Sequence, residues 1–266
     1  MPNDSSLALK TVLLDMDGVI WRGYEPVLDI QKLFEFINHC GCQVYCVTNN
    51  STSTVNGYLD KLKGFGVDLD PSQIITSAEA TACYLNDEFP ESGSIFVVGE
   101  EGLKNTISSH GFQVTAQTED PEIKAVVVGL DLQLTYQKIF LAANLVRNGV
   151  LFIGTNPDKT FPAPMGIAPG AGAIISPIEV ASGIKPLFIG KPEKHLYLLA
   201  LKRSGSLPEE TLMIGDRLET DILGAQRLGI RTGLVLTGIA SRNDGENWAP
   251  GLDIIGDTAL EILEKI

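Results

Sequence analysis

The chain alternates short apolar runs with segments whose apolar residues recur at helical spacing. Residues 11–15 and 43–48 are typical of buried strands, and residues 29–40 between them carry apolar side chains three and four positions apart. Gly41 follows this helical segment, and glycine is a common terminator of helices. Strands that alternate with helices over short connections predict a parallel sheet with helices on both faces.

The same alternation continues along the rest of the chain and predicts an α/β fold throughout. Further strands are predicted at residues 73–76, 95–98, 125–129, 151–154, 187–190, 211–214 and 231–236. Further helices are predicted at residues 54–64, 77–85, 101–110, 136–148, 173–181, 195–203 and 221–228. Ser77 is predicted to cap the helix that begins there. A stretch rich in proline and glycine, residues 156–172, interrupts the pattern.

Charge and composition restrict the class of partner. The chain has 266 residues, and its 33 acidic and 20 basic side chains give a net charge of −13. Such an acidic protein is a poor partner for nucleic acid or for an anionic membrane surface. The first ten residues lack the features of a secretory signal, and no apolar run approaches the roughly 20 residues that span a bilayer. We therefore expect a cytoplasmic protein that binds neither nucleic acid nor membranes.

The four cysteines do not indicate a disulfide framework or a zinc site. Cys40, Cys42 and Cys46 lie close together in the chain, but a zinc knuckle normally pairs with a second one, and the sequence has none. Cys46 lies in an apolar strand pattern, and Cys83 lies in a helical one. We therefore expect Cys46 and Cys83 to be core residues.

Candidate chemistry first appears where the strand at residues 11–15 ends. Asp15 and Asp17 are separated by one residue and followed by Gly18. Two carboxylates so close together repel each other unless a cation or strong hydrogen-bond donors compensate them. Asp-x-Asp-Gly is also common in solvated turns, so the segment by itself leaves a plain turn open.

Three further apolar runs end in polar residues, where open parallel sheets bind their ligands. Thr48 and Asn49 end the second strand with hydroxyl and amide groups, although they also fit the start of a helix. Lys191 follows the strand predicted at 187–190, and lysine is usually a solvated surface residue. Asp216 follows a glycine at the end of a buried strand, and Asp221 is either a second acid of that site or the cap of the next helix.

The order of these four motifs resembles the haloacid dehalogenase (HAD) superfamily of phosphohydrolases. It is most similar to the branch that contains 4-nitrophenylphosphatase-type enzymes, the NagD-type nucleotidase, phosphoglycolate phosphatase and pyridoxal phosphatase. The segments 21–23, 75–81, 154–158 and 236–238 add to the resemblance, which runs from Lys10 to about Thr258. The resemblance implies a discontinuous, Rossmann-like parallel-sheet core, residues 1–79 and 184–266, with an inserted α/β cap domain, residues 80–183.

The resemblance also implies a role for each acidic residue. Asp15 is the expected nucleophile and forms an aspartyl-phosphate, while Asp17 is the expected general acid and base. Mg²⁺ is the expected cofactor, held by the carboxylates of Asp15 and Asp216 and by the main-chain carbonyl of Asp17. Asp221 is expected to orient a metal-bound water, and a direct metal contact is the alternative.

Phosphate and substrate binding follow from the same resemblance. Thr48 and Lys191 are expected to bind the non-bridging phosphoryl oxygens, assisted by main-chain N–H groups near Asp17, Gly18 and Asn49. In the cap, a loop closes on the leaving group, and its counterpart here contains Asn156 and Asp158. A loop that is stiffened by proline and packs on its own domain is the alternative reading of these two residues.

The expected activity is Mg²⁺-dependent hydrolysis of small phosphomonoesters, and the expected partner is a small phosphorylated metabolite. Candidates are 4-nitrophenyl phosphate-type compounds, sugar phosphates, nucleoside monophosphates, phosphoglycolate and pyridoxal phosphate. Two alternatives are a phosphotransferase or mutase that uses the same aspartyl-phosphate, and a non-catalytic module that binds phosphorylated ligands. Caps in this branch often mediate dimerisation, so a homodimer through the cap is a further expectation, although the sequence shows no interface.

Overall fold

The computed structural model describes residues 8–163 and 165–266, which form fifteen β-strands. The strands are β1 (Thr11–Leu14), β2 (Trp21–Arg22), β3 (Glu25–Pro26), β4 (Gln43–Thr48), β5 (Ile74–Thr76), β6 (Ser94–Val98), β7 (Gln113–Thr115), β8 (Ile123–Val128), β9 (Leu151–Gly154), β10 (Thr160–Ala163), β11 (Gly166–Pro169), β12 (Leu187–Phe188), β13 (Thr211–Gly215), β14 (Arg231–Val235) and β15 (Ile254–Gly256). Residues 1–7, which bear on the expected lack of a secretory signal, lie outside the described residues.

The described residues also form ten α-helices. They are α1 (Ile30–His39), α2 (Val55–Gly64), α3 (Ser77–Glu88), α4 (Glu101–Ser109), α5 (Tyr136–Arg147), α6 (Ala171–Ser182), α7 (His195–Ser204), α8 (Leu223–Gln226), α9 (Arg242–Glu246) and α10 (Ala259–Glu264). In this described part of the chain, none of the helices combines the length and the apolar character that a membrane crossing requires.

The chain divides into two compact units by its internal packing. Among the described residues, the first unit comprises residues 8–48, 59–75 and 192–266, and the second comprises residues 49–58, 76–163 and 165–191. The predicted division into a catalytic core (1–79 and 184–266) and a cap domain (80–183) is a different division of the chain, and it stays a prediction.

The first unit is built on a six-stranded sheet in the order β15-β14-β13-β1-β4-β5. The fully buried strand β1 lies parallel to β13 on one side and to β4 on the other, so that Leu14 pairs with both Ile214 and Cys46. Helices α1, α7, α8 and α10 pack against this sheet. Because the strands are parallel, the carboxyl ends of β1, β4 and β13 meet at one edge.

The second unit is built on a five-stranded parallel sheet in the order β12-β9-β8-β6-β7. An antiparallel hairpin, β10 and β11, accompanies this sheet. Side chains such as Val126, Phe152 and Ile175 form its core together with helices α5 and α6. The predicted α/β class with parallel sheets is therefore confirmed in both units.

Several local predictions need correction. Thr76, not Ser77, caps α3, because its hydroxyl accepts from the main-chain N–H of Glu79 at 3.0 Å and Ser77 is already helical. The predicted strand at 187–190 is only the two residues of β12, and it pairs with β9 in the sheet of the second unit. Two residues at a sheet edge carry too little pattern to reveal their partner.

The segment after β13 also differs from its prediction. A π-helical turn over Leu218–Ile222 precedes α8, so Asp221 lies inside this turn instead of capping a helix. Cys46 is fully buried as expected, whereas Cys83 is only half-buried. Cys83 lies on α3, which packs on α4, and the residue is only partly buried there.

Candidate active site

Polar residues collect at the carboxyl edge of the six-stranded sheet. Asp15 directly follows β1, Thr48 is the last residue of β4, and Asp216 directly follows β13. The main-chain N–H of Asp15 still donates to the carbonyl of Ile214 at 2.9 Å, so the ladder between β1 and β13 fixes where Asp15 stands. This edge is the usual ligand position of an open parallel sheet.

Three carboxylates form a buried cluster in the first unit. Asp15, Asp216 and Asp221 are 7%, 2% and 1% exposed, and one carboxylate oxygen of each lies within 4.8 Å of the others. Like charges at this distance destabilise one another when all are ionised. A bound cation removes this cost, and a set of hard oxygen ligands suits Mg²⁺.

Main-chain donors orient the two acids that follow β13. Asp216 accepts from the N–H of Ile239 through Oδ2 at 2.8 Å, and its main-chain carbonyl accepts from the N–H of Ala240. Asp221 accepts from the N–H of Arg217 through Oδ2 at 3.1 Å. These bonds hold the two carboxylates in place.

Glycines allow the chain to pass very close to these carboxylates. A Cβ added at Gly238 would lie 1.9 Å from Oδ2 of Asp216, and one added at Gly215 would lie 2.2 Å from Cβ of Asp221. Gly18 has a φ of +89°, and a Cβ there would lie 2.6 Å from Oδ2 of Asp216. The positions of both acids therefore depend on glycine.

The loop after β1 carries Asp17, whose side chain is exposed. The N–H of Gly18 donates to the carbonyl of Trp21 at 2.7 Å, and the carbonyl of Gly18 accepts from the hydroxyl of Thr237 at 2.6 Å. Lys61 places its Nζ 3.6 Å above the Trp21 ring. Partial burial lowers the pKa of Lys61, and the negative charge of Asp17 opposes that shift.

Tyr197 supports the turn that carries Asp221. This fully buried side chain donates its hydroxyl to the carbonyls of Thr220 and Asp221, both at 3.0 Å. Burial raises the pKa of Tyr197 well above its usual value, and the charges of Asp221 and Asp15 act in the same direction. Tyr197 therefore remains a neutral donor at physiological pH.

The predicted site residues of the second unit form a hydrogen-bonded network around Asn49. Its Oδ1 accepts from the N–H of Lys191 at 2.7 Å, and its Nδ2 donates to the carbonyl of Lys191 at 3.0 Å. Nδ2 also donates to the carboxylate of Asp158 at 3.1 Å. Asn156 donates its side-chain amide to the carbonyl of Asn49 at 2.7 Å, and Ser77 donates its hydroxyl to the same carbonyl.

Asn156 and Asp158, which are predicted to bind the leaving group, are both hydrogen-bonded within this network. Asn156 is 4% exposed, and its Oδ1 accepts from the N–H of Asp158 at 3.1 Å. Their bonds fix the loop that they belong to. Contact with a leaving group stays a prediction for both residues.

Gly238, Gly215 and Tyr197 also shape the carboxylate cluster, although none of them is a predicted site residue. Gly238 belongs to the segment 236–238, which only added to the family resemblance. Its partner Asp216 lies 22 residues earlier in the chain, and only the neighbouring positions of β13 and β14 bring the two together. The tyrosine carries no local signal, because it lies within an ordinary amphipathic helix.

The parallel sheets with flanking helices, and the carboxylates that collect at the carboxyl edge of one sheet, define an α/β enzyme. The model of the haloacid dehalogenase-like hydrolases matches residues 12–113, and the HAD-hydrolase-like model matches residues 188–262. Acid sugar phosphatase from Staphylococcus aureus is 37% identical over 238 residues, which are 90% of this chain and 90% of that protein. The chain belongs to the HAD-like hydrolases.

Two solved structures place the chain within a branch of that family. NagD from E. coli K-12 is 32% identical, with a TM-score of 0.87 over 96% of this chain and 99% of NagD. Glycerol phosphate phosphatase from Mycobacterium tuberculosis, solved in complex with magnesium, is 28% identical, with a TM-score of 0.87 over 97% of this chain and 77% of that one. The predicted NagD-like branch and the predicted phosphatase class of enzyme are confirmed.

Proposed function

We propose that the protein is a Mg²⁺-dependent phosphatase that hydrolyses small phosphomonoesters through an aspartyl-phosphate on Asp15. The observation that carries the proposal is the buried cluster of Asp15, Asp216 and Asp221 at the carboxyl edge of the sheet. In a HAD-like phosphatase these positions carry the nucleophile and the metal ligands. Lys191, the lysine expected to bind the phosphoryl group, is itself buried and only 2% exposed.

The donor set fits a hard divalent cation. The carboxylates of Asp15 and Asp216 and the main-chain carbonyl of Asp17 would hold Mg²⁺, and Asp221 would orient a metal-bound water or bind directly. When bound, the cation neutralises charge on the carboxylates and on the phosphoryl oxygens. The relative from M. tuberculosis that was solved with magnesium supports this assignment.

Asp15 and Asp17 carry the two chemical steps. A carboxylate oxygen of Asp15 attacks phosphorus, the bond to the leaving oxygen breaks, and Asp17 donates a proton to that oxygen. Asp17 then takes a proton from a water molecule, which attacks the phosphorus of the aspartyl-phosphate. Inorganic phosphate leaves, and Asp15 is regenerated. The exposed side chain of Asp17 is accessible to both substrate and water.

Fixed donors bind the oxygens on which charge develops during transfer. We assign this role to the hydroxyl of Thr48, the ammonium group of Lys191, and main-chain N–H groups near Asp17, Gly18 and Asn49, other than the N–H of Gly18 itself, which donates to the carbonyl of Trp21. The double hydrogen bond between the Asn49 side chain and the main chain of Lys191 supports the assignment, because it fixes the backbone from which the lysine side chain extends.

Sugar and polyol phosphates are the substrates to test first, because acid sugar phosphatase and glycerol phosphate phosphatase are among the relatives. Asn156 and Asp158 are the proposed contacts to a polar leaving group. A small phosphorylated metabolite as partner, a homodimer through the cap and a cytoplasmic location remain predictions. The net charge of −13 favours a single phosphate group over a polyanion.

The experiment is a phosphate-release screen of the purified protein against 4-nitrophenyl phosphate, sugar phosphates, glycerol phosphate, nucleoside monophosphates, phosphoglycolate and pyridoxal phosphate. We expect turnover that EDTA abolishes and added Mg²⁺ restores. Asp15→Asn should lower kcat/KM by at least about 10³-fold, because it removes the nucleophile.

Asp68→Asn is the matched control, since Asp68 is an exposed aspartate of the same unit. It should retain wild-type kcat/KM. Activity retained by Asp15→Asn would refute the nucleophile assignment. Transfer of the phosphoryl group to a sugar hydroxyl in place of water would show a phosphotransferase.

A further inference from the structure

A second group of metal-ligating side chains lies in the second unit. Glu79, Cys83 and His110 each offer one ligand atom, and these three atoms lie within 4.8 Å of one another. All three side chains are half-buried. We propose that Glu79, Cys83 and His110 bind a thiophilic divalent cation such as Zn²⁺ and thereby link helix α3 to the end of helix α4.

Two of the ligands share one face of α3. Glu79 and Cys83 are four residues apart, so their side chains point to the same side of the helix, one turn from each other. The position of Glu79 in the first turn is fixed, because its N–H donates to the capping hydroxyl of Thr76 at 3.0 Å. Helix α3 packs against α4, and the ligand atoms of Glu79 and Cys83 lie beside that of His110.

The third ligand, His110, is oriented by a hydrogen bond at Nδ1 that leaves Nε2 for the metal ion. His110 directly follows α4, and its Nδ1 lies 2.9 Å from the carbonyl oxygen of Thr106. A carbonyl only accepts, so Nδ1 carries a proton, and Nε2 is the ring nitrogen whose lone pair is available to a metal ion. Nε2 lies 3.7 Å from Oε2 of Glu79, which is too long for a hydrogen bond. Histidine ligands of metals are commonly fixed in this way.

The donor set determines the class of ion. A thiolate, an imidazole and a carboxylate suit Zn²⁺, whereas Mg²⁺ takes oxygen ligands. Three protein ligands leave a fourth tetrahedral position for water. The side chains of Glu79 and His110 are 13% and 22% exposed, which gives an ion a path from solvent. Binding displaces the thiol proton of Cys83 into solvent.

The remaining cysteines lie in the first unit and provide matched controls. Cys42 donates its thiol to the carbonyl of Leu9 at 3.4 Å, and Cys46 is fully buried. Among the residues that the structure describes, no metal-ligating group includes Cys40, Cys42 or Cys46. His39, Cys40 and Cys42, the run that most resembles a zinc knuckle in the sequence, therefore should not bind the ion.

Cobalt titration tests the proposal on the full chain, with Mg²⁺ in large excess to occupy the carboxylate cluster. We expect a thiolate-to-cobalt charge-transfer band and the visible bands of tetrahedral Co²⁺, saturating at one ion per chain and bleached by Zn²⁺. Cys83→Ser should lose the charge-transfer band completely. His110→Ala should weaken Co²⁺ binding by at least about tenfold.

The double variant Cys40→Ser/Cys42→Ser should keep the wild-type spectrum, and all variants should keep the wild-type far-ultraviolet circular dichroism. Zn²⁺ should also raise the melting temperature of the wild-type protein and leave that of Cys83→Ser unchanged, because only the former gains binding energy in the folded state. A wild-type spectrum without the band, or a band that survives in Cys83→Ser, would overturn the proposal and leave Glu79 and His110 as a plain ion pair.

Discussion

The carboxylate cluster of the first unit and the Asn49 network of the second both place buried polar groups at predicted site residues, but they differ in charge. Asp15, Asp216 and Asp221 bring three like charges within 4.8 Å. Around Asn49, neutral donors meet neutral or charged acceptors at 2.7–3.1 Å, as in its bonds to Lys191 and Asp158.

The difference in charge separates a cluster that serves chemistry from a network that serves the fold. Like charges held together cost folding free energy unless a ligand compensates them, so such a cluster persists for what it binds. A set of matched hydrogen bonds stabilises the segment that contains it. A substitution that removes one partner leaves the other buried and unsatisfied, which lowers the folding stability further. Substitutions in the carboxylate cluster should therefore lower mainly the activity, and substitutions in the Asn49 network should lower mainly the stability.

The largest effect is expected for Asp216→Asn. The amide oxygen still accepts from the N–H of Ile239, but the charge that holds Mg²⁺ is gone. We expect kcat/KM to fall by at least about 10³-fold, or ~4 kcal/mol of transition-state stabilisation. Without Mg²⁺, the free energy of unfolding in urea should not decrease, because charge repulsion is relieved.

Asp68→Asn is again the control and should match the wild type in both measurements. Mg²⁺ should stabilise the wild-type protein and the control against urea but not Asp216→Asn. A clear loss of stability in metal-free Asp216→Asn would mean that the acid is structural, and the contrast between the two regions would fail.

The next effect is expected for Asn49→Ala, and it should appear in stability. The substitution removes three side-chain hydrogen bonds and leaves the buried main chain of Lys191 without these partners. We expect the free energy of unfolding to fall by about 3 kcal/mol, measured by urea denaturation. Asn148→Ala, at an exposed asparagine of the same unit, should change it by less than about 0.5 kcal/mol. Equal stability of the two variants would contradict this role of Asn49.

The same contrast explains what the sequence could predict. Apolar runs identify β1 and β13, and parallel strands must end at a common edge, so the meeting of Asp15 and Asp216 was predictable. The Asn49 network was not, because its bonds join residues that are about 110 and 140 positions apart and no periodicity encodes them.

Local ambiguity accounts for the other differences. Thr76 and Ser77 both carry a hydroxyl suited to capping, and only the backbone conformation selects Thr76. Asp221 after a strand resembles a helix cap, whereas the π-helical turn directs its carboxylate toward Asp15 and Asp216. Glycine at position 238 is an ordinary loop residue until its distance to Asp216 is known.

Gly238→Ala tests the position of Asp216 separately from its charge, because it displaces the acid without neutralising it. The new Cβ would lie 1.9 Å from Oδ2 of Asp216, so the carboxylate or the loop must shift. Displacements of about 1 Å commonly cost up to about 100-fold in rate, so we expect kcat/KM to fall between about 10- and 100-fold. Gly64→Ala is the control, because a Cβ there meets nothing within 4 Å at the end of α2. Wild-type activity in Gly238→Ala would show that the cluster tolerates displacement.

The smallest effect is expected for Tyr197→Phe, which removes the hydroxyl that holds the carbonyls of Thr220 and Asp221. At neutral pH the free energy of unfolding should fall by about 1 kcal/mol.

The same variant also tests the protonation state of Tyr197 at alkaline pH. Burial raises the pKa of Tyr197 in the folded state, so above about pH 10 the unfolded chain releases a proton that the folded one retains. The free energy of unfolding of the wild type therefore falls as pH rises. Between about pH 9 and pH 11, the free energy of unfolding should therefore decrease less in Tyr197→Phe than in the wild type. Tyr24→Phe, at a tyrosine that is 91% exposed, should follow the wild-type curve, and an unchanged alkaline slope in Tyr197→Phe would contradict the buried, neutral donor beneath the carboxylate cluster.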